Sequence, residues 1–572
     1  MMLRDFSSTA RAPEAGLTSG LQLLAVLTAA LMLWLAFPGG GGFWPLLFVA
    51  LVPFFVVAMG AKTARQAGLL GMLLGLVHFC ALLYWIVKVL GHYGGLPVYL
   101  AVLALLLLAL YMSLYLGVFA MVARLFFLRC PALCALWLIP AAWVALDWCR
   151  SFLFTGFPWM DPGYGLAQVP WLLQSADLWG HYGLSFVLVL LNTSVALLCS
   201  SENQKRGQLG ILLPVLLLCS GVALYSSLRW QQVGKQMEQQ VQRGATMRVG
   251  VVQGNIAQDQ KWSSGLQEKT LANYVGQSRN LVARDRPVLL IWPETALPFY
   301  PSGHPLMQVV RDFARQGNIS LLTGAPWVET GPQDKRPGGV AIQEKGDSRR
   351  WTGAASGVDG GGVAGNGDHN KPHYYNSALL MDPHGSLIDG YSKSHLVPYG
   401  EYVPLKKMMP FLAPVVEAAG DFSPGVISHA LGCQNARIGV LICFESIFPE
   451  IARKWVGVKA NLLVNLTNDA WYGRSSAPHH SLAMTVLRAV ETRRSLVRAA
   501  NTGFSGFIDP LGRVQRVSPL FEPWAETAEL VLMEEETWFV RWGYLFSPIC
   551  LVLVVVFLIW IALRNPCPRR FS

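Results

Sequence analysis

The sequence predicts a membrane-embedded α-helical bundle of eight spans joined to a separate α/β layered domain. The composition is the first indication, because 53% of the 572 residues are hydrophobic and only 14% are charged, whereas a soluble globular protein carries about 25% charged residues. The second is a series of apolar segments long enough to cross a bilayer, which takes roughly 20 residues in a helix. The third is a polar region, residues 229–537, in which short β-rich runs alternate with helical patterns, as is typical of α/β folds.

The apolar segments fall in residues 1–228, and one more falls in residues 538–572. A helix satisfies its own backbone hydrogen bonds in lipid, so each segment is predicted to be helical. The predicted spans are 20–37, 43–60, 67–90, 97–123, 132–149, 171–199, 209–227 and 546–563. The sixth is too long for one straight crossing, and we expect part of it to lie at the membrane interface.

A cleaved signal peptide is the alternative interpretation of residues 1–37. The apolar region of such a peptide is about 7–15 residues long and ends in a small-x-small cleavage site. Here the apolar run is longer and ends in Ala36-Phe37-Pro38-Gly39. We therefore expect a retained membrane anchor.

Lysine and arginine are concentrated in alternate loops between the predicted spans. They are Arg4, Arg11, Lys62, Arg65, Arg124, Arg129, Lys205, Arg206, Arg564, Arg569 and Arg570. The opposite loops, 38–42 and 91–96, contain neither residue type, and Arg150 is the main exception. Positively charged loops stay in the cytoplasm. The pattern predicts that both termini are cytoplasmic and that residues 229–537 lie on the far side of the membrane.

The polar region shows a rhythm of strands and helices. Predicted strands are 247–252, 287–291, 319–323, 377–381, 438–442 and 462–466, and predicted helices are 264–284, 303–317, 447–457 and 480–494. The turns 382–385 and 509–512 have Pro second and Gly fourth, which suits a type I turn between two strands. Residues 331–370 contain eleven glycines, and we interpret them as a flexible surface insertion.

Ten cysteines are spread mostly through the apolar segments and include no CxxC pair, so the sequence shows neither a disulfide framework nor a metal motif. Cys443 is one of two in the polar region, and it follows the apolar run 438–442 directly. A buried inert cysteine is the ordinary alternative. A disulfide with Cys433 is a second alternative, which we disfavour because Cys433 lies in a polar loop.

Glu294 likewise follows a predicted strand, and Lys393 lies in the segment Gly390-Tyr391-Ser392-Lys393-Ser394-His395. Alone, they would be an exposed glutamate and a solvated lysine. With Cys443 they make chemical sense, because a thiol with a pKa of about 8.5 is only a few per cent ionised at pH 7. A carboxylate can accept the thiol proton, and an ammonium can stabilise the thiolate and then an oxyanion.

Several segments around these residues resemble the nitrilase superfamily. They are Gln253-Gly254-Asn255, Trp292-Pro293-Glu294, the Lys393 segment and Cys443-Phe444-Glu445. With residues 391–404 (YSKSHLVPYGEYVP), 154–159 (FTGFPW) and 465–473 (NLTNDAWYG) and the membrane segments, the sequence more narrowly resembles the bacterial apolipoprotein N-acyltransferases. The resemblance covers almost the whole chain.

The resemblance implies an αββα sandwich with a Glu-Lys-Cys triad, in which Glu294 is the general base, Lys393 the oxyanion and orienting group and Cys443 the nucleophile. It also implies supporting residues. Glu401 would be a second acidic residue by the site, Glu445 would orient Lys393, Trp262 and Trp471 would lie on mobile loops lining the substrate access, and Asn376 would belong to the same site. For the two tryptophans, simple packing or interfacial anchoring remains an alternative.

The resemblance further implies transfer of an acyl chain from a phospholipid to the N-terminal amine of a diacylglyceryl-apolipoprotein through a thioester. We expect an enzyme of the bacterial inner membrane with a periplasmic catalytic domain, acting as a monomer without cofactor, metal or nucleic acid. The adjacent His479 and His480 point apart on a helix and are not expected to bind metal.

Two other functions remain as alternatives. A membrane-tethered amidase or nitrilase hydrolase would use the same triad on a small amide. A transporter with a regulatory domain would place ionisable residues near the middle of the bilayer. The candidate ionisable residues are His78, Lys88, Asp147 and Asp177. They are few, and the sequence indicates no ion-pair partners for them.

Overall fold

The computed structural model describes residues 18–200, 205–258, 261, 264–329, 372–398, 400–402 and 422–564. Trp262 and the predicted insertion 331–370 lie outside the described residues. The chain forms two compact units. The first comprises Met1–Gln231, Ser475–Leu487 and Arg541–Ser572, and the second comprises Gln232–Arg474 and Arg488–Val540.

The helices of the described chain comprise those of the apolar segments and those of the polar region. They are Ser19–Ala36, Val52–Gly60, Ala64–Leu83, Trp85–Lys88, Val98–Arg129, Ala132–Arg150, Ala176–Ser200, Lys205–Gln242, Gln267–Asp285, Leu306–Gly317, Pro449–Gly457, Ala477–Thr492, Trp538–Trp542 and Phe546–Arg564. In the described chain, seven helices are long and apolar enough to cross a membrane, and the second predicted span corresponds to a shorter apolar stretch, Trp44–Gly60. The predicted fold class is confirmed, and the chain is a membrane protein.

The long sixth apolar segment is divided in the structure. Short 3₁₀ helices occupy Pro162–Gln168 and Pro170–Leu173, and the α-helix Ala176–Ser200 follows, with a kink at Gly180. Proline at the first position of each short helix has no N–H to contribute and favours a fresh start there. The α-helix of this segment is therefore shorter than the whole apolar segment, because the residues before Ala176 form 3₁₀ helices.

Two helices of the first unit approach each other closely through glycine. A Cβ atom on Gly71 would lie 2.4 Å from the carbonyl oxygen of Leu116, and one on Gly75 would lie 2.7 Å from the Cα atom of Ser113. Small residues allow membrane helices to pack backbone against backbone, because lipid supplies no hydrophobic force to hold them together. Glycine in Ala64–Leu83 thus permits its contact with Val98–Arg129.

Two of the four ionisable candidates of the first unit, Asp147 and Asp177, are paired, contrary to the sequence interpretation. Arg150 is buried and bonds to Asp147 at 2.9 Å and to Asp161, which also contacts His181. Asp177 pairs with Arg229 at 2.8 Å. Burying an unpaired charge among apolar helices is costly, so such residues pair in the bundle interior. Arg150 was an exception to the loop-charge pattern because it is an interior ion-pair partner rather than a loop cation.

The described residues of the second unit form twelve strands in two six-stranded sheets. In chain order they are β1 Thr246–Gln253, β2 Leu289–Ile291, β3 Ser320–Glu329, β4 His373–Met381, β5 Leu387–Ser392, β6 Leu431–Cys433, β7 Ala436–Ile442, β8 Leu462–Thr467, β9 Ser495–Ala500, β10 Gly506–Ile508, β11 Val514–Gln515 and β12 Trp524–Val531. The sheet orders are β12-β1-β2-β3-β4-β5 and β11-β10-β9-β8-β7-β6. In both, three neighbouring strands are parallel and the others are antiparallel.

Helices cover the first sheet through one hydrophobic core. Tyr274 and Leu281 of Gln267–Asp285 and Val310 and Phe313 of Leu306–Gly317 pack in a cluster with Trp292. Trp455 of Pro449–Gly457 lies against the second sheet at Gly439, and β1 packs against β9. These layers agree with the αββα sandwich that the resemblance implies.

The sequence located the central strands, but it missed several outer ones. Each of the six predicted strands overlaps an observed strand, and the predicted turn 382–385 joins β4 to β5 with a Gly385 N–H to Asp382 O hydrogen bond of 3.0 Å. Cys433 was expected in a polar loop, but it ends β6 and is buried, and both Cys433 and Cys443 are free thiols. The disfavoured disulfide is absent.

Replacing Gly439 in β7 by Ala is expected to destabilise the second unit. The added Cβ would lie 2.7 Å from the Cβ of Trp455, which is 1% exposed, and overpacking of this kind costs about 1–3 kcal/mol. Gly432→Ala is the matched control, because the new Cβ in neighbouring β6 meets nothing within 4 Å. Thermal unfolding of the full chain in detergent should show a Tm several degrees lower for Gly439→Ala alone. Equal Tm values for the two variants would contradict this packing.

Candidate active site

The predicted acid and lysine lie at one edge of the first sheet. Glu294 follows β2, and Lys393 follows β5, which runs in the same direction as β3 because two antiparallel pairings separate them. The carboxyl ends of β2 and β5 therefore share an edge. Ligand sites in α/β sheets lie beyond the carboxyl ends of strands, which is where the sequence placed Glu294.

Cys443 occupies a sharp turn at the carboxyl end of β7 in the second sheet. Its φ angle is +52°, and the 3₁₀ helix Cys443–Ile447 begins at the residue itself. A left-handed conformation is uncommon for a residue with a side chain and costs of order 1–3 kcal/mol. Such strain at a strand end is typical of a functional position rather than of an inert core cysteine.

Glu445 connects the turn of Cys443 to the lysine segment. Its Oε2 atom accepts the N–H of Ile442 at 2.8 Å. Its Oε1 atom accepts the N–H groups of Ser394 at 2.8 Å and His395 at 3.1 Å, and the hydroxyl of Tyr391 at 2.6 Å. Glu445 thus holds the backbone that follows Lys393, which gives a physical form to its expected orienting role.

Lys393 pairs directly with Glu401. The Nζ atom lies 2.8 Å from Oε2 and 3.0 Å from Oε1 of Glu401, and the lysine side chain is 1% exposed. Burial alone would lower the pKa of Lys393, but the charges of Glu401, Cys443 and Glu294 outweigh it and raise the pKa above its ordinary value. The ammonium is therefore a permanent positive charge in the site.

Asn376 joins the two carboxylates. Its Nδ2 atom donates to Glu294 Oε1 at 2.8 Å and to Glu401 Oε1 at 2.9 Å. The other oxygen of Glu294, Oε2, is buried and has no hydrogen-bond partner among the described residues. Burial raises the pKa of Glu294, with Lys393 opposing and Glu401 assisting. One oxygen is thus fixed, and the other is left to accept a proton.

The thiol of Cys443 is protonated in the resting site. Burial, and then the negative charge of Glu294, raise its pKa to about 12, although Lys393 and a hydrogen bond with Thr467 act in the opposite direction. A thiol in this state becomes a nucleophile only when a base removes its proton as it attacks. The free oxygen of Glu294 is suited to that task.

The structure brings further residues to the site that the sequence reasoning did not single out. The Thr467 hydroxyl, at the end of β8, donates to Asp469 at 3.0 Å, and Asp469 pairs with Arg498 at 2.8 Å. The Nζ atom of Lys261 donates to the backbone oxygen of Glu294 at 3.0 Å. Thr467 carried a signal, since it ends a buried strand as the triad residues do. Lys261 stands in a polar stretch that gave no sign of burial.

The remaining expected residues are only partly placed. Trp471 is 38% exposed and lies in the turn Asp469–Tyr472, whereas Trp262 is outside the described residues. The Nδ1 atom of His480 accepts a hydrogen bond from Trp159 Nε1 at 3.2 Å, so this ring has a structural partner within the first unit.

Comparison with known proteins identifies both parts of the chain. Residues 29–194 match the apolipoprotein N-acyltransferase N-terminal domain, and residues 248–534 match the carbon-nitrogen hydrolase family. The apolipoprotein N-acyltransferase of Geobacter metallireducens is 37% identical over 92% of both chains. The enzyme of the same name from Methylococcus capsulatus is 31% identical, over 91% of this chain and 92% of the relative. The chain belongs to the apolipoprotein N-acyltransferase family.

Family membership gives the observed cluster a chemical context. The site of this apolipoprotein N-acyltransferase family member lies in its carbon-nitrogen hydrolase part, between strand ends of two sheets of one unit. The cluster holds a protonated thiol, a carboxylate with one free oxygen and a permanent ammonium. These are the groups that acyl transfer through a covalent sulfur intermediate needs: a nucleophile, a base and an oxyanion partner.

Replacing Glu401 by Gln is expected to move the pH dependence of Cys443 acylation towards acid. The charge of Glu401 raises the pKa of both Lys393 and Glu294, so its removal lowers both pKa values. Glu294 then becomes an effective base at lower pH, which shifts the acid limb of the profile.

The measurement is the rate of Cys443 acylation by an activated ester across a pH series, read by mass spectrometry. Glu268→Gln is the matched control, because Glu268 is exposed on the helix Gln267–Asp285, and its profile should equal that of the wild type. A Glu401→Gln profile that is unchanged or displaced towards alkali would contradict the assignment of the Lys393–Glu401 pair.

Proposed function

We propose that the protein transfers a fatty acyl chain from a membrane phospholipid to the N-terminal α-amine of an S-diacylglyceryl-cysteine apolipoprotein, through a thioester on Cys443. The observation that carries the proposal is the cluster of Glu294, Lys393 and Cys443 in a chain of the apolipoprotein N-acyltransferase family. The relatives' names supply the acceptor class, and the site supplies groups fitted to the reaction.

The first half-reaction loads the thiol. The free Oε2 atom of Glu294 takes the proton of Cys443 while the sulfur attacks the carbonyl carbon of a phospholipid ester. Lys393 stabilises the oxyanion that forms, since its ammonium is already fixed by Glu401. The carbon–oxygen bond then breaks, the leaving oxygen takes the proton from Glu294, and a lysophospholipid departs.

The second half-reaction transfers the acyl group from Cys443 to the acceptor. The α-amine of the acceptor cysteine, in its neutral form, attacks the thioester carbon, and Lys393 again stabilises the oxyanion. Glu294 takes a proton from the attacking nitrogen and returns it to the sulfur as the carbon–sulfur bond breaks. The products are an N-acylated lipoprotein and the free thiol, so the sequence is ping-pong.

The membrane segments have a role in this reaction because both substrates are lipids. A lipid with two chains buries about 30 CH₂ groups, and at about 0.8 kcal/mol each its extraction would cost on the order of 24 kcal/mol. The strongest noncovalent affinities reach only about 18–21 kcal/mol. A domain free in water would not extract either substrate, which favours a site that meets them at the membrane surface.

We also propose the location of the reaction. The loop-charge pattern favours cytoplasmic termini. Together with the apolar helices of a chain in a bacterial lipoprotein-modifying family, it favours the bacterial inner membrane with the catalytic part in the periplasm. This location requires the lipidated N-terminal cysteine of the acceptor lipoprotein to lie on the periplasmic side of the membrane.

Covalent loading of Cys443 tests the mechanism. Full-length protein in detergent, incubated with a phospholipid of defined chains, should gain the mass of one acyl group at Cys443, and hydroxylamine should remove it, since a thioester is cleaved by that nucleophile. Cys443→Ala should gain no acyl group and make no N-acylated lipopeptide. Cys433→Ala, which alters the other cysteine of the second unit, should load normally.

The products separate the proposal from a hydrolase with the same triad. With phospholipid and a diacylglyceryl lipopeptide together, the wild type should form N-acylated lipopeptide and lysophospholipid in equal amounts. Release of free fatty acid with no lipopeptide product would favour the hydrolase. A Cys443→Ala protein with wild-type activity would overturn the nucleophile assignment.

Reporter fusions test the proposed orientation. Green fluorescent protein fused after Ser572 should fluoresce, and alkaline phosphatase fused at the same position should be inactive, because it folds only in the oxidising periplasm. Alkaline phosphatase inserted within 331–370 should be active if the catalytic part is periplasmic. The reverse pattern would contradict the orientation.

A further inference from the structure

Lys261 is a buried cation that the proposed reaction does not yet use. Its side chain is 1% exposed, and its Nζ atom donates to the backbone oxygen of Glu294 at 3.0 Å. The described residues supply this one hydrogen-bond acceptor for an ammonium that carries three N–H donors. Glutamine in its place would satisfy the same carbonyl at less cost, so the hydrogen bond alone does not explain a buried lysine.

The positive charge of Lys261 interacts with two groups of the catalytic site. Burial lowers the pKa of Lys261 to about 8, while the charge of Glu294, and that of Cys443 once its thiol is ionised, oppose that lowering. These two are the groups between which the catalytic proton moves. Lys261 therefore retains its charge at neutral pH in a place where burial disfavours it, beside the pair that benefits from it.

Counting Lys261 gives Glu294 and Glu401 two cations, Lys393 and Lys261, whereas the buried carboxylate of Glu445 is held by neutral hydrogen-bond donors. Glu294, Glu401, Lys393 and Lys261 act on one another in a buried region. Lys393 is committed to a direct ion pair with Glu401 at 2.8 Å. Glu294 is then the remaining carboxylate and Lys261 the remaining cation. An uncompensated buried charge is strongly disfavoured, and a carboxylate so placed takes up a proton instead.

We propose that Lys261 is a positioning residue of the catalytic site: it fixes the backbone of Glu294 and keeps this base ionised and the Cys443 thiol reactive. The inference rests on the proposed use of Cys443 as nucleophile, and it adds a second cation to the one that the triad contains. Lys393 stabilises the oxyanion, whereas Lys261 stabilises the ionised form of the base, Glu294. Among the described residues, the charged groups that act on Glu294 are Lys393, Glu401 and Lys261.

Alkylation of Cys443 by iodoacetamide tests the charge of Lys261 without any lipid substrate. Lys261→Gln keeps a donor for the Glu294 carbonyl but removes the positive charge, and Lys261→Met removes both. If the charge is the function, the two variants should be alkylated at Cys443 roughly tenfold more slowly than the wild type at about pH 7, which corresponds to one pKa unit. Their pH profiles should be displaced towards alkali, because Glu294 and Cys443 have lost a cation that favours their ionised forms.

The experiment uses the full-length protein in detergent, with the Cys443 peptide quantified by mass spectrometry and the Tm of each variant recorded. Lys269→Gln is the matched control, because Lys269 is exposed on the next helix, and its rate should equal that of the wild type. A Lys261→Gln rate and profile equal to the wild type, with Lys261→Met alone impaired, would assign Lys261 a purely structural role and overturn the proposal. Failure of acyl loading in the wild type would count against the proposed function instead, since alkylation does not require it.

Discussion

The buried carboxylate of Glu445 is the contact on which the geometry of the site depends. One oxygen accepts the N–H of Ile442, before the nucleophile, and the other accepts the N–H of Ser394, after the lysine, both at 2.8 Å. One rigid group therefore fixes two segments that belong to different sheets. The left-handed backbone of Cys443 persists because contacts of this kind over-determine it, and a shift of either segment would separate the sulfur from the ammonium.

Electrostatics explains why a protonated thiol is the resting state. A thiolate formed alone would add a negative charge to a buried region that already holds the carboxylates of Glu294, Glu401 and Glu445, which is costly at low dielectric. Transfer of the proton from Cys443 to Glu294 leaves the total charge unchanged, so the nucleophile appears only as it is used. This arrangement also limits oxidation and other side reactions of the sulfur, which require the thiolate.

The sequence could predict the strands that carry reactive residues because a buried strand that stops at a polar residue has a recognisable pattern. Glu294 and Cys443 follow such strands, and Thr467 ends one. The inner strand β9 and the edge strand β12 were missed because their residues have no clear alternation, and their pairing depends on distant partners. Lys261 was missed for a related reason, since nothing local distinguishes a lysine that packs under a strand end from one that faces solvent.

The repeated order of the two sheets clarifies why one carboxylate is the base. β2 and β8 are the middle strands of their parallel triplets, and each is followed within a few residues by an acid, Glu294 in the first sheet and Asp469 in the second. Asp469 is paired with Arg498 at 2.8 Å, whereas Glu294 keeps one buried oxygen without a hydrogen-bond partner among the described residues. An ion-paired carboxylate is a poor proton acceptor because protonation would break the pair. Each sheet thus carries an acid after the middle strand of its parallel triplet. Because Arg498 pairs with Asp469, Glu294 is the acid suited to accept the thiol proton.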